Sequence, residues 1–176
     1  MERKFLWIET GYALFANEGM QALKVERLAK KVGISKSSFY HYFADNELFI
    51  EELLDYHLQQ SRIIAEKEKK SNHIDPDLIA ILIEHKTDLL FNRQLRIQRN
   101  NPRFAHTLSL SDQIVGNSFI AIWVKDLGLQ LSQKQLEGIF SLALENFYLQ
   151  ISEQNLSTIW LSNYFENLKT IVKSFE

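Results

Sequence analysis

Apolar residues recur at intervals of three and four along almost the whole chain, which is the spacing of one face of an α-helix. The first such face consists of Phe5, Ile8, Tyr12 and Phe15. No segment shows the sustained alternation of a half-buried strand, and the 176 residues include only 6 Gly and 2 Pro. So few turn residues argue against a β-sandwich or a β-barrel. We therefore predict an all-α fold of about nine helices.

Capping signals in the first half of the chain predict where helices begin and end. Gly19 and Gly33 each follow an apolar helical segment, and glycine tolerates the left-handed conformation that often ends a helix. Ser35 is the expected N-cap of a short helix over residues 36–43. A long fourth helix is expected over residues 45–70, with an aspartate as its N-cap.

In the second half of the chain, the two prolines mark expected helix boundaries. Pro76 suits the first turn of a helix, where its missing N–H costs nothing. Pro102 disfavours helix at the residue before it, so the next helix is expected only over residues 109–127. Ser132 and Gln135 have the spacing of a capping box and predict the start of the eighth helix.

Charge is distributed unevenly along the chain, although the net charge is only -2. Residues 20–43 contain five basic residues and a single acid, Glu26, which gives a local net charge of +4. Residues 51–176 contain 13 basic and 16 acidic residues, a net charge of -3. A basic region on an acidic body suggests that one end of the protein contacts a polyanion.

Cysteine content and the N-terminal sequence bear on the compartment. The chain has no Cys, so disulfides, thiolate metal sites and a cysteine nucleophile are excluded. The first fifteen residues lack the features of a signal peptide, and no run approaches the ~20 apolar residues of a membrane span. We expect a soluble, cytoplasmic protein without membrane contacts.

Residues 25–44 meet the local demands of a helix-turn-helix, in which two short helices cross steeply. Ala29 is small enough to lie where the helices cross. Gly33 can adopt the positive φ of the turn, and Ile34 can fill the space beneath it. Aromatic residues of the second helix can bury one side, while basic residues occupy exposed positions. The pattern favours a DNA-binding motif over an ordinary helical hairpin.

The chain resembles the N-terminal domain of the tetracycline-repressor (TetR) family in three stretches, ALFANEG at 13–19, VERLAKKVGISKSSFYHYF at 25–43 and DNELF at 45–49. The resemblance implies a DNA-binding domain over residues 1–44. It also implies a larger helical domain over residues 45–176 that binds a small ligand and dimerises.

The sequence also departs from the family pattern at a few positions. Leu23 and Lys24 stand where the family usually has Ser or Thr to cap the second helix, and Asn46 stands where it often has Lys. Gly11 replaces a helix-favouring Ala, at a cost of ~1 kcal/mol unless close packing requires glycine. These departures concern individual phosphate contacts and not the fold.

The resemblance places the second short helix in the major groove and assigns DNA contacts to eight residues, Lys24, Arg27, Lys36, Ser37, Ser38, Tyr40, His41 and Tyr42. Lys36 and Ser37 belong to the first turn and are candidates for base edges. His41 lies one turn further along and could reach a base or a phosphate.

The other five of these residues are better suited to the phosphate backbone, which positions the helix without specifying sequence. Tyr42 is equally suited to the protein core. Phe39 and Phe43 are assigned to the core outright.

The last two predicted helices each carry a second, partly apolar side. Pairs of such helices from two subunits could form a four-helix interface over residues 132–175. The alternative is that both helices are central to a monomeric core.

A ligand cavity is expected between the fourth and seventh helices, lined by Tyr56, His57, Leu89, Phe91, Phe104, Phe119 and Trp123. The alternative is that this aromatic stripe is simply core. Four arginines, Arg93, Arg96, Arg99 and Arg103, could bind an anion, or could instead pair with Glu84 and Asp88.

No catalytic constellation is found in the sequence. The five His residues lack metal-ligand spacing, and phosphate loops and nucleophile elbows are missing. We therefore expect no enzyme, metal or cofactor, but a ligand-responsive repressor that binds a palindromic double-stranded DNA operator as a homodimer. Two alternatives remain: a helical protein–protein interaction module whose basic hairpin binds an acidic partner, and a DNA-binding protein without an effector pocket.

Overall fold

The computed structural model of the chain describes residues 2–127 and 132–174. Within these residues all regular structure is helical, which confirms the predicted all-α fold of about nine helices. The α-helices are α1 (Glu2–Glu18), α2 (Val25–Val32), α3 (Lys36–Tyr42), α4 (Asn46–Glu68), α5 (Ile79–Glu84), α6 (Lys86–Ile97), α7 (Pro102–Leu127), α8 (Gln133–Gln150) and α9 (Thr158–Lys173). A 3₁₀ turn, Met20–Ala22, precedes α2, and a π-helical segment, Ile74–Leu78, precedes α5. No described helix is long and apolar enough to cross a membrane.

Most of the capping predictions are confirmed. Gly19 and Gly33 have positive φ values of 75° and 73° after α1 and α2. Asp45 Oδ1 accepts a hydrogen bond of 2.9 Å from the Leu48 amide at the start of α4. Ser132 begins α8 with a reciprocal capping box, as its spacing from Gln135 predicts.

The predicted start of α7 is wrong by two turns. The helix begins at Pro102 and not at residue 109, because proline is well placed in the first turn of a helix. Asn101 supplies the cap, since its side-chain oxygen accepts a hydrogen bond of 3.0 Å from the Arg103 amide. Pro102 therefore marks the beginning of α7 and not an extended break.

The helix expected after Pro76 is divided into α5 and α6. His85 lies between them with φ -99° and ψ 28°, outside the helical region. Its buried ring bonds Asp88 through Nδ1 at 2.8 Å and Lys67 through Nε2 at 2.8 Å. These contacts favour a turn at His85 over a straight helix.

Helix α1 lies at the centre of the N-terminal half and packs along α6 and α4. Phe15 is buried between Phe91 of α6 and Phe104 of α7, with ring centroids 4.5 and 5.6 Å away. At the other end of α1, Trp7 is fully buried against Phe39 of α3. The short N-terminal helices and the larger helical body therefore share one core, and the predicted boundary at residue 44 stays a prediction.

Helices α4 and α7 run side by side in the same direction. Arg103 pairs with Glu47 at 2.9 Å near the start of both helices. Ser61 bonds Ser111 at 2.9 Å halfway along, and Lys125 reaches the Asn72 side chain at 2.8 Å beyond the end of α4. This parallel register determines which residues of α7 face each turn of α4.

Gly11 lies on the buried side of α1, where α1 meets α4. A Cβ at this position would lie 2.8 Å from Cε1 of Phe49 and nearer still to the tip of that ring. Phe49 is fully buried and packs against Phe39 and Phe43, so its ring has little room to move. The close approach of α1 and α4 therefore explains a glycine in the middle of a helix.

We expect Gly11→Ala to destabilise the protein by about 1 kcal/mol or more, because core overpacking at about 1–3 kcal/mol outweighs the gain in helix propensity of ~1 kcal/mol. Gly138→Ala is the matched control, because a Cβ at Gly138 in α8 would meet nothing within 4 Å. That variant is expected to gain up to ~1 kcal/mol. Urea unfolding of the two variants measures both effects, and stabilisation by Gly11→Ala would contradict the packing explanation.

Candidate nucleic-acid interface and internal cavity

The turn between α2 and α3 has the geometry that the sequence predicts. Gly33 adopts the left-handed conformation, with φ 73° and ψ 23°. The amides of Gly33 and Ile34 both donate to the Ala29 carbonyl, at 2.9 and 3.2 Å. Ala29 and Ile34 are half-buried against the core. The two short helices are thus joined by a tight turn whose conformation requires glycine.

Helix α3 is held to the core by one aromatic side. Phe39 is fully buried, with ring centroids 5.4 Å from Trp7 and 5.2 Å from Phe49. Phe43 is buried beside it at 5.1 Å. The prediction that Phe39 and Phe43 belong to the core is confirmed, and the opposite side of α3 remains open to solvent.

The eight predicted DNA contacts lie on or next to this open side. The exposed members are Lys24, Lys36, Ser37, Tyr40 and His41. The half-buried members are Arg27, Ser38 and Tyr42. Tyr42 also packs against the core, which agrees with its alternative assignment. The DNA roles of all eight remain predictions.

Two of the basic side chains are paired with carboxylates of the same chain. Lys36 Nζ lies 2.8 Å from Glu26 Oε1, and Arg27 donates to Glu18. The hydrogen bond from Lys36 lowers the pKa of the Glu26 carboxyl. All four side chains are at least partly exposed to solvent, and surface pairs of this kind contribute only about 0–1 kcal/mol. A polyanion could therefore replace either carboxylate at little cost.

The predicted side-chain cap of α3 is not formed. Ser35 occupies the N-cap position with extended backbone, but its hydroxyl bonds Ser37 Oγ at 2.8 Å and no backbone amide of the helix. Lys24 at the start of α2 likewise gives no side-chain cap. The first-turn amides of both helices are thus left without the side-chain acceptor that a capping Ser or Thr supplies.

A cavity of about 60 Å³ lies among α4, α6, α7, α8 and α9. Of the seven residues predicted to line it, His57, Leu89, Phe119 and Trp123 do so. Helices α8 and α9 add a set of aromatic and aliphatic side chains to the lining, namely Phe140, Ala143, Leu144, Phe147, Tyr148, Tyr164, Phe165 and Leu168.

Tyr56, Phe91 and Phe104 lie outside the cavity lining. Phe91 and Phe104 are buried against Phe15 of α1 and belong to the core that joins the two halves of the chain. Tyr56 is half-buried beneath α1, with its ring 4.9 Å from that of Tyr12. Periodicity gave all three a place on an inward face, but it did not separate the α1 contact from the cavity.

A buried hydrogen-bond network lies at one end of the cavity. The Tyr12 hydroxyl donates to Asp88 Oδ1 at 2.7 Å and lies 2.7 Å from His57 Nδ1. Because the single hydroxyl proton is directed to Asp88, His57 Nδ1 must carry its own proton and donate to Tyr12. Burial lowers the pKa of His57 to about 4, so the ring is neutral at physiological pH. Its buried Nε2 is an acceptor without a partner among the described residues.

The other end of the cavity contains a buried acid, Glu68. Its side chain is fully buried, lines the cavity, and has no hydrogen-bond partner for either carboxyl oxygen among the described residues. Burial raises the pKa of Glu68 to about 8. The sequence reasoning missed this residue because it lies in a charged tract that resembles a solvated helix end.

The spacing of residues along α4 could have identified Glu68 from the sequence. His57, Ser61, Ile64 and Glu68 are separated by four, three and four residues, so they share one face of α4. All four line the cavity.

The arginine cluster does not form an open anion site. Arg96 is buried and makes two bonds of 2.7 Å with Asp112, and it also donates to Glu145. Arg103 pairs with Glu47 at 2.9 Å. The expected pairing of these arginines with Glu84 and Asp88 is therefore wrong, because acids on neighbouring helices lie closer.

Comparison with known proteins identifies the N-terminal region. Residues 8–53 match the model of the family described as bacterial regulatory proteins, tetR family. Two curated proteins of Bacillus subtilis (strain 168), the HTH-type transcriptional regulators YuxN and YerO, are 37% and 31% identical over 70 and 77 residues. These matches cover 39% and 44% of this chain but only 24% and 25% of the relatives, so the chain spans about a quarter of their length.

Solved structures extend the similarity to the whole fold. A protein of Mesorhizobium loti assigned to the TetR family of transcriptional regulators superposes with a TM-score of 0.62 at 15% identity, over 99% of this chain and 96% of that one. A protein of Rhodococcus sp. with the same assignment superposes with a TM-score of 0.62 at 17% identity. That match covers 97% of this chain and 98% of the other. At this identity the likeness to the solved structures is one of fold, whereas the family model matches the sequence of residues 8–53, which include the helix-turn-helix. Residues 8–53 therefore match the tetR family of bacterial regulatory proteins, and the fold of the chain is that of solved proteins assigned to the same family.

Proposed function

We propose that this protein is a DNA-binding transcriptional regulator that inserts α3 into the major groove. The observation that carries the proposal is the division of α3 into two sides. Phe39 anchors one side in the core, while Lys36, Ser37 and His41 project from the other into solvent. A short helix fixed in this way at the surface can approach base edges without exposing the core.

The surrounding residues suit the DNA backbone. Lys24, Arg27 and Tyr40 flank the open side of α3, and cations or hydroxyls at these positions can contact phosphates. The carboxylates of Glu18 and Glu26 now pair with Arg27 and Lys36, and DNA would replace both carboxylates on binding. Lys36 and Ser37 are proposed to specify sequence, and the flanking residues to raise affinity for every sequence.

We also propose a homodimer built by α8 and α9. Leu142 and Leu149 on α8 are 76% and 78% exposed, and Ile159 on α9 is 77% exposed. Isolated exposed apolar residues are ordinary, but Leu142 and Leu149 belong to the predicted second apolar side of the eighth helix, and Ile159 adds an exposed apolar residue on α9. A two-fold axis through this surface would present two copies of α3 to DNA. Phe175, part of the predicted interface, lies outside the described residues.

The cavity is the proposed effector site, and repression relieved by a ligand is the proposed mode of action. The network of Tyr12, His57 and Asp88 supports this role, because it connects the cavity wall to α1. A ligand that binds the cavity better in one arrangement of α1 would shift the protein toward that arrangement. A non-enzymatic, cytoplasmic regulator is the corresponding proposal for the whole protein.

We expect selection from a random DNA library to yield a two-fold symmetric site, and Lys36→Ala to weaken binding to it by about 1–3 kcal/mol and relax one base position. Arg27→Ala should weaken binding to every sequence and reduce the slope of log K against log salt by about one. Fluorescence anisotropy over a salt series measures both quantities.

The matched control is Lys69→Ala, because Lys69 is also exposed and paired with a neighbouring carboxylate, Glu66, but lies far from α3. This variant should bind the selected site like the wild type. If the wild-type protein selects no DNA but binds an acidic polypeptide through the same basic residues, the interaction-module alternative is correct.

Light scattering is expected to give twice the chain mass of 20.7 kDa for the wild-type protein. The double variant Leu142→Glu and Leu149→Glu should be monomeric, because two charges would be desolvated in the interface. Ile97→Glu, on α6 at 58% exposure, is the control and should remain dimeric. A wild-type protein that is monomeric at micromolar concentration would exclude the dimer.

A further inference from the structure

The charged side chains that line the cavity are all acidic. They are Glu68 on α4, Asp88 on α6 and Asp112 on α7, and among the described lining residues none is Lys or Arg. His57 also lines the cavity but stays neutral, because burial holds its pKa near 4. The described lining therefore disfavours an anionic ligand, because it contains no basic side chain and the nearby Arg96 is already bonded to Asp112 and Glu145.

Two of the three acids are already bonded to the protein. Asp88 accepts from Tyr12 at 2.7 Å and bonds His85 at 2.8 Å. Asp112 receives two bonds of 2.7 Å from Arg96. Glu68 differs from both, because its two buried oxygens have no partner among the described residues. Buried polar atoms are almost always hydrogen-bonded, so Glu68 needs a partner that the described residues do not supply.

The walls around Glu68 are aromatic. Glu68 lies between the two contacts that fix the register of α4 and α7, Ser61–Ser111 and Asn72–Lys125. Phe119 and Trp123 lie in the same interval of α7, so they face the Glu68 end of the cavity. Aromatic faces attract cations, and an acid enclosed by such faces is suited to a positively charged group.

Another cavity-lining side chain of α4, His57, also has a free polar atom that prefers donors. His57 Nε2 is a buried acceptor without a partner, eleven residues before Glu68 on the same face. At 1.5 Å per residue the two positions are roughly 16 Å apart along the helix axis. Glu68 and His57 thus offer acceptors to a ligand that carries N–H donors, and the described lining also contains one free donor, the Trp123 Nε1–H.

We propose that the cavity binds a lipophilic organic cation, a protonated amine on an apolar body, with the Glu68 carboxylate as its counter-ion. This inference depends on the proposed function for the role of the ligand as effector. The cation supplies the missing partner of Glu68, and the aromatic walls bury the apolar body.

Proton release accompanies binding in this scheme. In the empty cavity Glu68 is mostly protonated at neutral pH, because burial raises its pKa to about 8. A cation favours the ionised carboxylate, so the carboxyl proton leaves to solvent when the ammonium group enters. Other titratable groups that line the cavity from the surrounding helices are His57, Asp88, Asp112, Tyr148 and Tyr164. Burial raises the pKa values of both tyrosines, so they remain neutral.

The cavity is small, and α8 is the helix of its wall that can shift most easily to enlarge it. Its volume of about 60 Å³ is less than that of sites for drug-sized ligands, roughly 300–1,000 Å³. Phe147, at 7% exposure, is the single buried residue of α8, whose residues are all described. A ligand with one aromatic ring is therefore a suitable probe, since a modest shift of α8 would admit it.

The test compares three probes with one aromatic body and different charge: 2-phenylethylamine, 2-phenylethanol and 3-phenylpropanoate. Isothermal titration of the full-length protein should give an amine affinity at least roughly tenfold higher than that of the alcohol, with no binding of the carboxylate. Glu68→Gln should remove the preference for the amine over the alcohol. Glu66→Gln, at an exposed position of the same helix, should preserve it.

A second measurement does not depend on any variant. Titration of the amine at pH 7 in two buffers of different ionisation enthalpy should show release of close to one proton per ligand. Affinity for the amine should rise with pH up to about 8, where the carboxyl in the empty cavity is half ionised.

Three results would overturn the proposal: no saturable binding of the amine, equal or tighter binding of the alcohol or carboxylate, or an unchanged amine preference in Glu68→Gln. The DNA-binding assay on ligand-free protein tests the proposed function separately. If the amine binds through Glu68 while affinity for the selected DNA is unchanged, the ligand class is correct and the effector role is wrong.

Discussion

The arrangement of the whole chain depends on the buried hydroxyl of Tyr12. Its ring stacks on Phe91 at 4.2 Å, and its oxygen joins His57 on α4 to Asp88 on α6. A buried hydroxyl without partners costs about 1–3 kcal/mol, so α1 has one position in which both bonds are made. Because Trp7 on the same helix packs against Phe39, that position of α1 also sets the position of α3.

The contacts of α1 connect the cavity to the open side of α3, because Tyr12 bonds the cavity-lining His57 and Trp7 packs against Phe39. The ring of His57 bonds Tyr12 through Nδ1 and presents Nε2 to the cavity. A donor at Nε2 would polarise the ring and strengthen the Nδ1–H bond to Tyr12, since neighbouring hydrogen bonds reinforce one another. A ligand could thus alter the hold on α1 without touching α1.

The helix-turn-helix was predictable from sequence because its demands are local. A positive φ at Gly33, a small residue at Ala29 and an aromatic anchor at Phe39 can each be recognised within a few residues of chain. Family resemblance then extended these signals to the fold. Pro102 was misjudged because proline suits both a break and a first turn, and only the Asn101 cap decides between them.

The cavity was only partly predictable because its lining depends on contacts between distant helices. Phe91 and Phe119 have similar surroundings in sequence, yet one packs on α1 and the other faces the cavity. Glu68 was missed for a related reason. An acid in a charged tract near a helix end is normally exposed to solvent, and only the contacts between helices show that Glu68 is buried. The four-, three- and four-residue spacing from His57 does place Glu68 on the same face of α4. That face can be recognised as the cavity wall only once the structure is known.

The buried Glu68 lowers the stability of the empty protein, and this cost supports a ligand role. Its folded pKa of about 8 lies above the ordinary value of 4.5, so the folded state holds a proton that the unfolded state loses between these pH values. Stability is therefore lost as pH rises from 4.5 toward 8. An apolar side chain at this position would avoid the loss. A cation in the cavity offsets this loss of stability, because it stabilises the ionised carboxylate in the folded state alone. The gain is largest at the pH where the empty protein is least stable.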